Sequence, residues 1–122
     1  MGKTILIVDD SSSLRQVVSL TLTRAGYDVI EGADGLDALR KLDGRKVNLI
    51  VSDVNMPRMD GITFVTQVKQ NPRYKFTPVI MLTTEGQDDK KQQGRAAGAK
   101  AWIVKPFSPP MLLDAVSKLI LP

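Results

Sequence analysis

The feature that most constrains the fold of this chain is a repeated alternation of short apolar runs with segments of helical periodicity. The apolar runs are rich in β-branched residues and are bounded by turn-forming residues, which predicts β-strands. The first, third and fourth runs are continuously apolar, as expected for parallel strands covered on both faces of a sheet. The predicted strands are Thr4–Val8, Tyr27–Glu31, Val47–Asp53, Pro78–Thr83 and Lys100–Lys105.

Each predicted strand is followed by a segment whose apolar residues recur at the three- and four-residue spacing of a helix. The fourth segment, residues 88–97, has few apolar anchors and gives the weakest signal. Five successive βα units predict a single doubly wound α/β domain over residues 1–122, with helices on both faces of a parallel sheet. The residues expected to mark helix boundaries are Gly26, Gly44, Asp60, Gly61, Pro72, Ser108 and Pro109.

The absence of cysteine and histidine narrows the available chemistry. It excludes disulfides, thiolate and imidazole metal sites and Ser–His–Asp triads, so any reaction must use carboxylates, hydroxyls and lysines. No apolar run approaches the roughly 20 residues of a membrane-spanning helix and no secretion signal is visible, so we expect a cytoplasmic protein without membrane insertion. The net charge is +4, and its basic residues are scattered along the sequence, which favours a solvated surface over nucleic-acid binding.

The residues that close the predicted strands carry the candidate chemistry. Ligands of an open parallel sheet bind outside the carboxyl ends of the strands, where the strand order reverses. Strand one is followed by Asp9 and Asp10, strand three ends in Asp53, strand four in Thr83 and strand five in Lys105. Each has an ordinary structural explanation when taken alone, such as Asp10 as the N-cap of the first helix. Their joint placement at four strand ends favours a functional site.

Three carboxylates at one rim repel one another, by about 4 kcal/mol for a pair at ~4 Å and an effective dielectric constant of about 20. Either one carboxyl group stays protonated or a hard cation binds. Magnesium suits this set of ligands, with the backbone carbonyl of Asn55, water and a phosphoryl group completing its shell. A carboxylate nucleophile, a metal, a lysine and a threonine hydroxyl indicate phosphoryl transfer.

Four stretches resemble the receiver domains of two-component response regulators, and in particular the single-domain, CheY-like chemotaxis branch of that family. The resemblance covers nearly the whole chain and implies a flavodoxin-like fold with the strand order 2-1-3-4-5. The stretches are Ile-Leu-Ile-Val-Asp-Asp at 5–10, Ser-Asp-Val-Asn-Met-Pro-Arg-Met-Asp-Gly at 52–61, Met-Leu-Thr-Thr-Glu at 81–85 and Val-Lys-Pro-Phe at 104–107.

The resemblance implies that Asp53 accepts a phosphoryl group from a histidine kinase or a histidine phosphotransfer protein. Mg²⁺ is then held by Asp9, Asp10, Asp53 and the backbone carbonyl of Asn55. The residues expected to bind the phosphoryl group and switch the surface are Thr83, Lys105 and Trp102, where Trp102 replaces the more common Tyr or Phe. The residues expected to shape the site are Pro57, Gly61 and Pro106, the last after a cis peptide bond from Lys105.

The expected function is therefore a stand-alone, monomeric phosphoacceptor rather than an enzyme. Chemotaxis is favoured because the small size, Asn55 and Glu85 resemble that branch. A phosphorelay intermediate or a regulator of another enzyme are the alternatives for its output. The polar residues Lys91 and Arg95 of the fourth helix argue against the flagellar motor switch as the downstream partner.

Three other classes fit less well. A small aspartyl-phosphate phosphatase needs a second acid two residues after the nucleophile, where this chain has Asn55. A flavin-binding protein of the same fold is disfavoured because Asp9 and Asp10 would repel the flavin phosphate. A receiver that binds partners without being phosphorylated is disfavoured by the complete acidic pocket.

Overall fold

Five strands alternate with five helices in the computed structural model, which describes residues 2–84 and 88–120. The strands form one parallel sheet in the order β2-β1-β3-β4-β5, which confirms the predicted fold. Glu85, part of one matching stretch, lies outside the described residues. The elements are β1 (Thr4–Val8), α1 (Ser12–Arg24), β2 (Asp28–Gly32), α2 (Gly35–Lys41), β3 (Leu49–Asp53), α3 (Gly61–Gln70), β4 (Val79–Thr84), α4 (Asp88–Ala97), β5 (Ala101–Lys105) and α5 (Pro109–Leu119).

β1 has the predicted bounds, and the other four strands differ from the predicted ones by one or two residues. β3 begins at Leu49 rather than Val47 because Asn48 makes a local bridge to β1. The Asn48 amide donates to the Thr4 carbonyl, and its side-chain oxygen accepts from the Thr4 amide at 2.9 Å. β4 extends one residue past Thr83, because Thr84 pairs in register with Lys105.

The core forms two layers, one on each face of the sheet. Ile5 and Ile7 of β1 point into the layer beneath α1 and α5, whereas Leu6 and Val8 point into the layer beneath α2 and α3. All four side chains are fully buried. This two-sided burial explains why the central strands read as continuous apolar runs.

Side chains cap the starts of four helices in the described part of the chain. Asp60 caps α3 and Ser108 caps α5, with Pro109 in its first turn, both as predicted. The structural explanation offered for Asp10 is wrong, because the N-cap of α1 is Ser11, whose hydroxyl accepts from the Leu14 amide. Asp10 is therefore left exposed, next to the carboxyl edge of the sheet. No helix among the described residues has the length and apolar character to cross a membrane.

Gly61 is placed where α3 approaches the end of β3. Its amide donates to the Val54 carbonyl at 2.8 Å, and a Cβ atom added to it would overlap the backbone oxygen of Asp53 and lie 3.0 Å from Met81 Cε. The glycine is thus required by close backbone approach, and it lets α3 begin directly beside Asp53.

Two glycine substitutions should have opposite effects on stability. Gly61→Ala should lower the free energy of unfolding by about 1–3 kcal/mol, because the added methyl group meets backbone that cannot move away. Gly94→Ala, in α4, should raise it by up to about 1 kcal/mol, because alanine favours a helix and its Cβ would lie 3.4 Å from its nearest neighbour. Urea unfolding followed by far-UV circular dichroism measures both, and equal shifts in the same direction would contradict the assignment.

Candidate functional site

Three carboxylates converge at the carboxyl edge of the sheet. Asp9 and Asp10 follow β1 directly and Asp53 closes β3, the neighbouring strand. Carboxylate oxygens from the three residues all lie within 4.8 Å of one another. Asp9 and Asp53 are buried whereas Asp10 is exposed, so the pocket opens to solvent on the Asp10 side.

Lys105 supplies the positive charge opposite these carboxylates. It closes β5, two strands away from β3, and its side chain reaches across the end of β4. Its Nζ atom lies 3.0 Å from Asp53 Oδ2 and 3.7 Å from Asp9 Oδ2. The Lys105–Pro106 peptide bond is cis, as the resemblance implies. The sequence prediction that residues from separate strand ends meet is confirmed for the aspartates and the lysine.

One carboxylate oxygen of Asp9 accepts a hydrogen bond, whereas the other has only the Lys105 ammonium nearby, at 3.7 Å. Its Oδ1 atom accepts from the Ser11 amide at 2.9 Å, and its backbone carbonyl accepts from the Arg15 guanidinium at 2.7 Å. Arg15 also pairs with Glu31 at 3.0 Å, which fixes the guanidinium between β1 and β2. Asp9 Oδ2 is buried without a hydrogen-bond donor among the described residues. Sequence reasoning missed Arg15, since nothing in its helical spacing indicates a contact with Asp9.

The pKa of Asp53 is raised above the ordinary value of an aspartate, chiefly because burial disfavours the charged carboxylate. Lys105 acts in the opposite direction through a hydrogen bond and its charge, and the neighbouring Asp9 charge adds to the increase. The Val54 amide donates to Asp53 Oδ1 at 2.8 Å and orients the carboxylate, so that Oδ2 faces Lys105.

Thr83 lies near the carboxyl end of β4, whereas Trp102 is the second residue of β5 and pairs with Met81. The Thr83 side chain is buried and its hydroxyl has no hydrogen-bond partner within residues 2–84 and 88–120. Trp102 packs against α4, with the Arg95 guanidinium 5.1 Å from the centre of its ring. Its indole nitrogen is likewise buried and unpaired within that part of the chain. Trp102 therefore faces α4, on the opposite side of β5 from Lys105, since side chains three residues apart on a strand point to opposite faces.

The loop after β3 carries Asn55 and Pro57, both exposed. It is braced by an ion pair that the sequence did not predict, between Arg58 and the buried carboxylate of Asp34. Arg58 has a φ of 67°, in the left-handed region that favours glycine. Asp34 also caps α2 by accepting from the Asp37 amide, and this bond, followed by Arg58, lowers the pKa of Asp34. The brace joins the loops after β2 and β3.

The donor set fits a hard divalent cation. Carboxylate oxygens are the ligands that Mg²⁺ takes in proteins, and the buried Asp9 Oδ2 accepts no hydrogen bond from the described residues, its nearest cation being Lys105 Nζ at 3.7 Å. The residues available to hold the ion are Asp9, Asp10 and Asp53, while the expected contribution of the Asn55 carbonyl stays a prediction.

Residues 5–117 match the response regulator receiver domain. The chain belongs to that family. Chemotaxis protein CheY1 of Helicobacter pylori is 39% identical over 118 residues, which are 95% of each chain. The crystal structure of CheY4, a chemotaxis response regulator of Vibrio cholerae, is 49% identical and superposes with a TM-score of 0.94, covering 98% of this chain and 100% of that one. These matches make the chain a homologue of single-domain chemotaxis regulators.

A third similar structure bears on the metal. The receiver domain of a sensor histidine kinase from Pseudomonas aeruginosa is 25% identical, with a TM-score of 0.89 and 98% of each chain covered. That structure has a magnesium ion coordinated in its active site cleft.

The raised pKa of Asp53 predicts how its removal changes stability with pH. Because the folded state disfavours the charged carboxylate, the Asp53 contribution to stability falls as pH rises from the ordinary aspartate value near 3.9 through the raised folded pKa. In metal-free buffer Asp53→Asn should therefore exceed the wild type in melting temperature at neutral pH, and the difference should shrink toward zero below about pH 4.

The control is Asp114→Asn, which removes an exposed carboxylate on α5 that pairs with Lys118. It should not reproduce the stabilisation at neutral pH. If the difference in melting temperature between Asp53→Asn and the wild type did not change with pH, ionisation of Asp53 would not destabilise the folded protein.

Proposed function

We propose that this chain is a phosphoacceptor regulator in chemotaxis, with Asp53 as the acceptor of a phosphoryl group from a histidine kinase or a histidine phosphotransfer protein. One observation carries the proposal: Asp53 Oδ2 lies 3.0 Å from Lys105 Nζ, and the same ammonium lies 3.7 Å from Asp9 Oδ2. Homology to CheY proteins supports the chemotaxis assignment. We further propose that residues 1–122 act as one receiver domain, as a monomer in the cytoplasm.

In the proposed transfer, an oxygen of the ionised Asp53 carboxylate forms a bond to phosphorus as the bond from phosphorus to the donor imidazole breaks. The imidazole, which already carries a proton on its other nitrogen, leaves as a neutral ring with the electron pair of the broken bond, and the phosphoryl group becomes an acyl phosphate. Bound Mg²⁺, held by Asp9, Asp10, Asp53 and the Asn55 carbonyl, would neutralise charge on the phosphoryl oxygens. The chain thus assists its own phosphorylation by positioning and charge, without a general base.

Lys105 and Thr83 are suited to hold the product. The Lys105 ammonium already faces Asp53, so it can pair with a phosphoryl oxygen after transfer. The Thr83 hydroxyl has no competing partner in the described part of the chain, so its donor is available to the phosphoryl group. The downstream partner would be a protein that reads the surface of α4 and β5, where Trp102 lies.

Phosphorylation should require Asp53. With Mg²⁺ and acetyl phosphate, the wild type should gain one phosphoryl group, because the carboxylate, metal site and lysine are all in place, whereas Asp53→Asn should gain none. Intact-protein mass spectrometry measures the gain.

Two further variants sharpen this experiment. Asp60→Asn removes a nearby carboxylate but preserves the α3 cap, so it should be labelled like the wild type. Asp10→Ala removes an exposed metal ligand and should lose the dependence of labelling on Mg²⁺ together with most of the labelling. Equal labelling of Asp53→Asn and the wild type would place the acceptor elsewhere.

Trp102 should report the switch, since it is the only tryptophan in the sequence. Adding Mg²⁺ with beryllium fluoride, a phosphoryl mimic, should draw Thr83 toward the site and let Trp102 turn inward from α4. We expect a changed emission spectrum and weaker quenching by iodide, as the ring loses its remaining exposure and its contact with Arg95.

Asp53→Asn serves as the control and should show neither change. If the wild type keeps its spectrum and its quenching while Asp53 is demonstrably occupied, Trp102 is a static part of the core and the switch lies elsewhere.

A further inference from the structure

A second cleft lies at the end of the sheet opposite the phosphorylation site. It has a volume of about 410 Å³ and is formed by the segments that precede β3 and β4, residues 44–48 and 73–77. Its lining includes Arg45, Lys46, Arg73 and Phe76. The length of a five-residue strand, roughly 16 Å, separates it from Asp53.

The cleft brings together basic side chains from two segments that are distant in the sequence. Residues 43–46 and 73–76 include four basic residues and one acidic residue, a formal charge of +3, whereas the whole chain carries +4. Asp43 pairs with Arg45 at 3.1 Å, so the cations least compensated at the cleft are Lys46 and Arg73. The fold therefore makes a local basic site from residues about 30 positions apart.

The walls of the cleft are fixed to each other by Tyr74. This buried side chain accepts from the Gly44 amide at 3.0 Å and donates to the Arg45 carbonyl at 2.8 Å. Arg73 adds a bond from its guanidinium to the Gly44 carbonyl at 3.3 Å. Because the two segments are tied together in this way, the backbone that carries the cations is held in place before a ligand binds.

Phe76 is an aromatic ring displayed at the cleft. It is 80% exposed, more than any other large hydrophobic residue in the described part of the chain. The Lys75 ammonium lies 5.5 Å from the centre of the ring, so one ring face is near a cation. A ring so little buried adds almost nothing to the core, whereas beside basic groups it offers a surface on which a planar base can stack.

We propose that this cleft binds a nucleotide with two or more phosphates, its base stacked on Phe76 and its phosphates on Lys46 and Arg73. The volume lies in the range of small-ligand sites, and a planar ring beside cations matches a base joined to phosphates. An acidic protein segment would use the charge but would leave the exposed ring without a specific counterpart. The proposal does not depend on phosphorylation of Asp53.

The test is a titration of the full chain with ATP in metal-free buffer, followed by the shifts of backbone amide resonances. Leaving out metal keeps the acidic pocket from holding ATP through a bridging ion. We expect saturable shifts at the amides of Gly44, Lys46 and Thr77, and no shift at Asp53.

Variants separate the base from the phosphates. Phe76→Ala should weaken ATP binding about tenfold, because it removes the stacking surface, and leave inorganic triphosphate binding unchanged. Lys46→Gln and Arg73→Gln should weaken both ligands. Lys118→Gln removes an exposed lysine from α5 and should weaken neither. The altered side chains at the cleft are exposed, so these proteins should fold normally.

Four outcomes would overturn the proposal. The first is the absence of saturable shifts at millimolar ATP. The second is equal weakening by Lys118→Gln and Lys46→Gln, which would mean general attraction between charges. The third is an unchanged ATP affinity in Phe76→Ala, which would leave a site for anions alone. The fourth is tighter binding of a poly-glutamate peptide at the same amides, which would assign the cleft to an acidic protein segment.

Discussion

The ion pair between Lys105 and Asp53 is the interaction on which the site depends. Burial alone would drive Asp53 toward its protonated form, in which it is a poor nucleophile, and Asp9 pushes in the same direction. Lys105 opposes both effects from two strands away. The strand order therefore has a chemical consequence, because the β1-β3-β4-β5 arrangement puts that ammonium within reach of carboxylates from β1 and β3. The same lysine lies 3.7 Å from Asp9 Oδ2, an oxygen that accepts no hydrogen bond from the described residues.

Much of the fold and of the acidic pocket could be predicted because both depend on local sequence patterns. Strands buried on both faces read as continuous apolar runs, and a polar residue directly after such a run must lie at the sheet edge. Asp9, Asp53 and Lys105 follow from that rule. The first and last residues of strands and helices are harder to predict than their existence. Side chains such as those of Asn48 and Ser11 accept backbone hydrogen bonds and so set where an element starts.

The contacts that were not predicted join residues whose positions do not follow the repeat of a helix or a strand. Arg15 reaches the Asp9 carbonyl from α1, and Arg58 pairs with Asp34 across two loops. Nothing in the sequence marks either arginine apart from other surface cations, since the partner is set by tertiary structure. The basic cleft is a similar case: its cations come from two separate segments of the chain, which are joined by hydrogen bonds of the Tyr74 hydroxyl and the Arg73 guanidinium.

The two ends of the sheet carry clusters of opposite charge. At the carboxyl end, the carboxylates of Asp9, Asp10 and Asp53 outnumber the single ammonium of Lys105, whereas the opposite end carries a formal +3 over residues 43–46 and 73–76. These two clusters of opposite sign together contribute a dipole along the strands. In the field of a charged partner such a dipole turns before contact, so a basic surface meets the acidic end first and an acidic surface meets the other. This alignment raises the fraction of productive collisions at low ionic strength and fades as salt shortens the reach of the field to about 8 Å at physiological concentration.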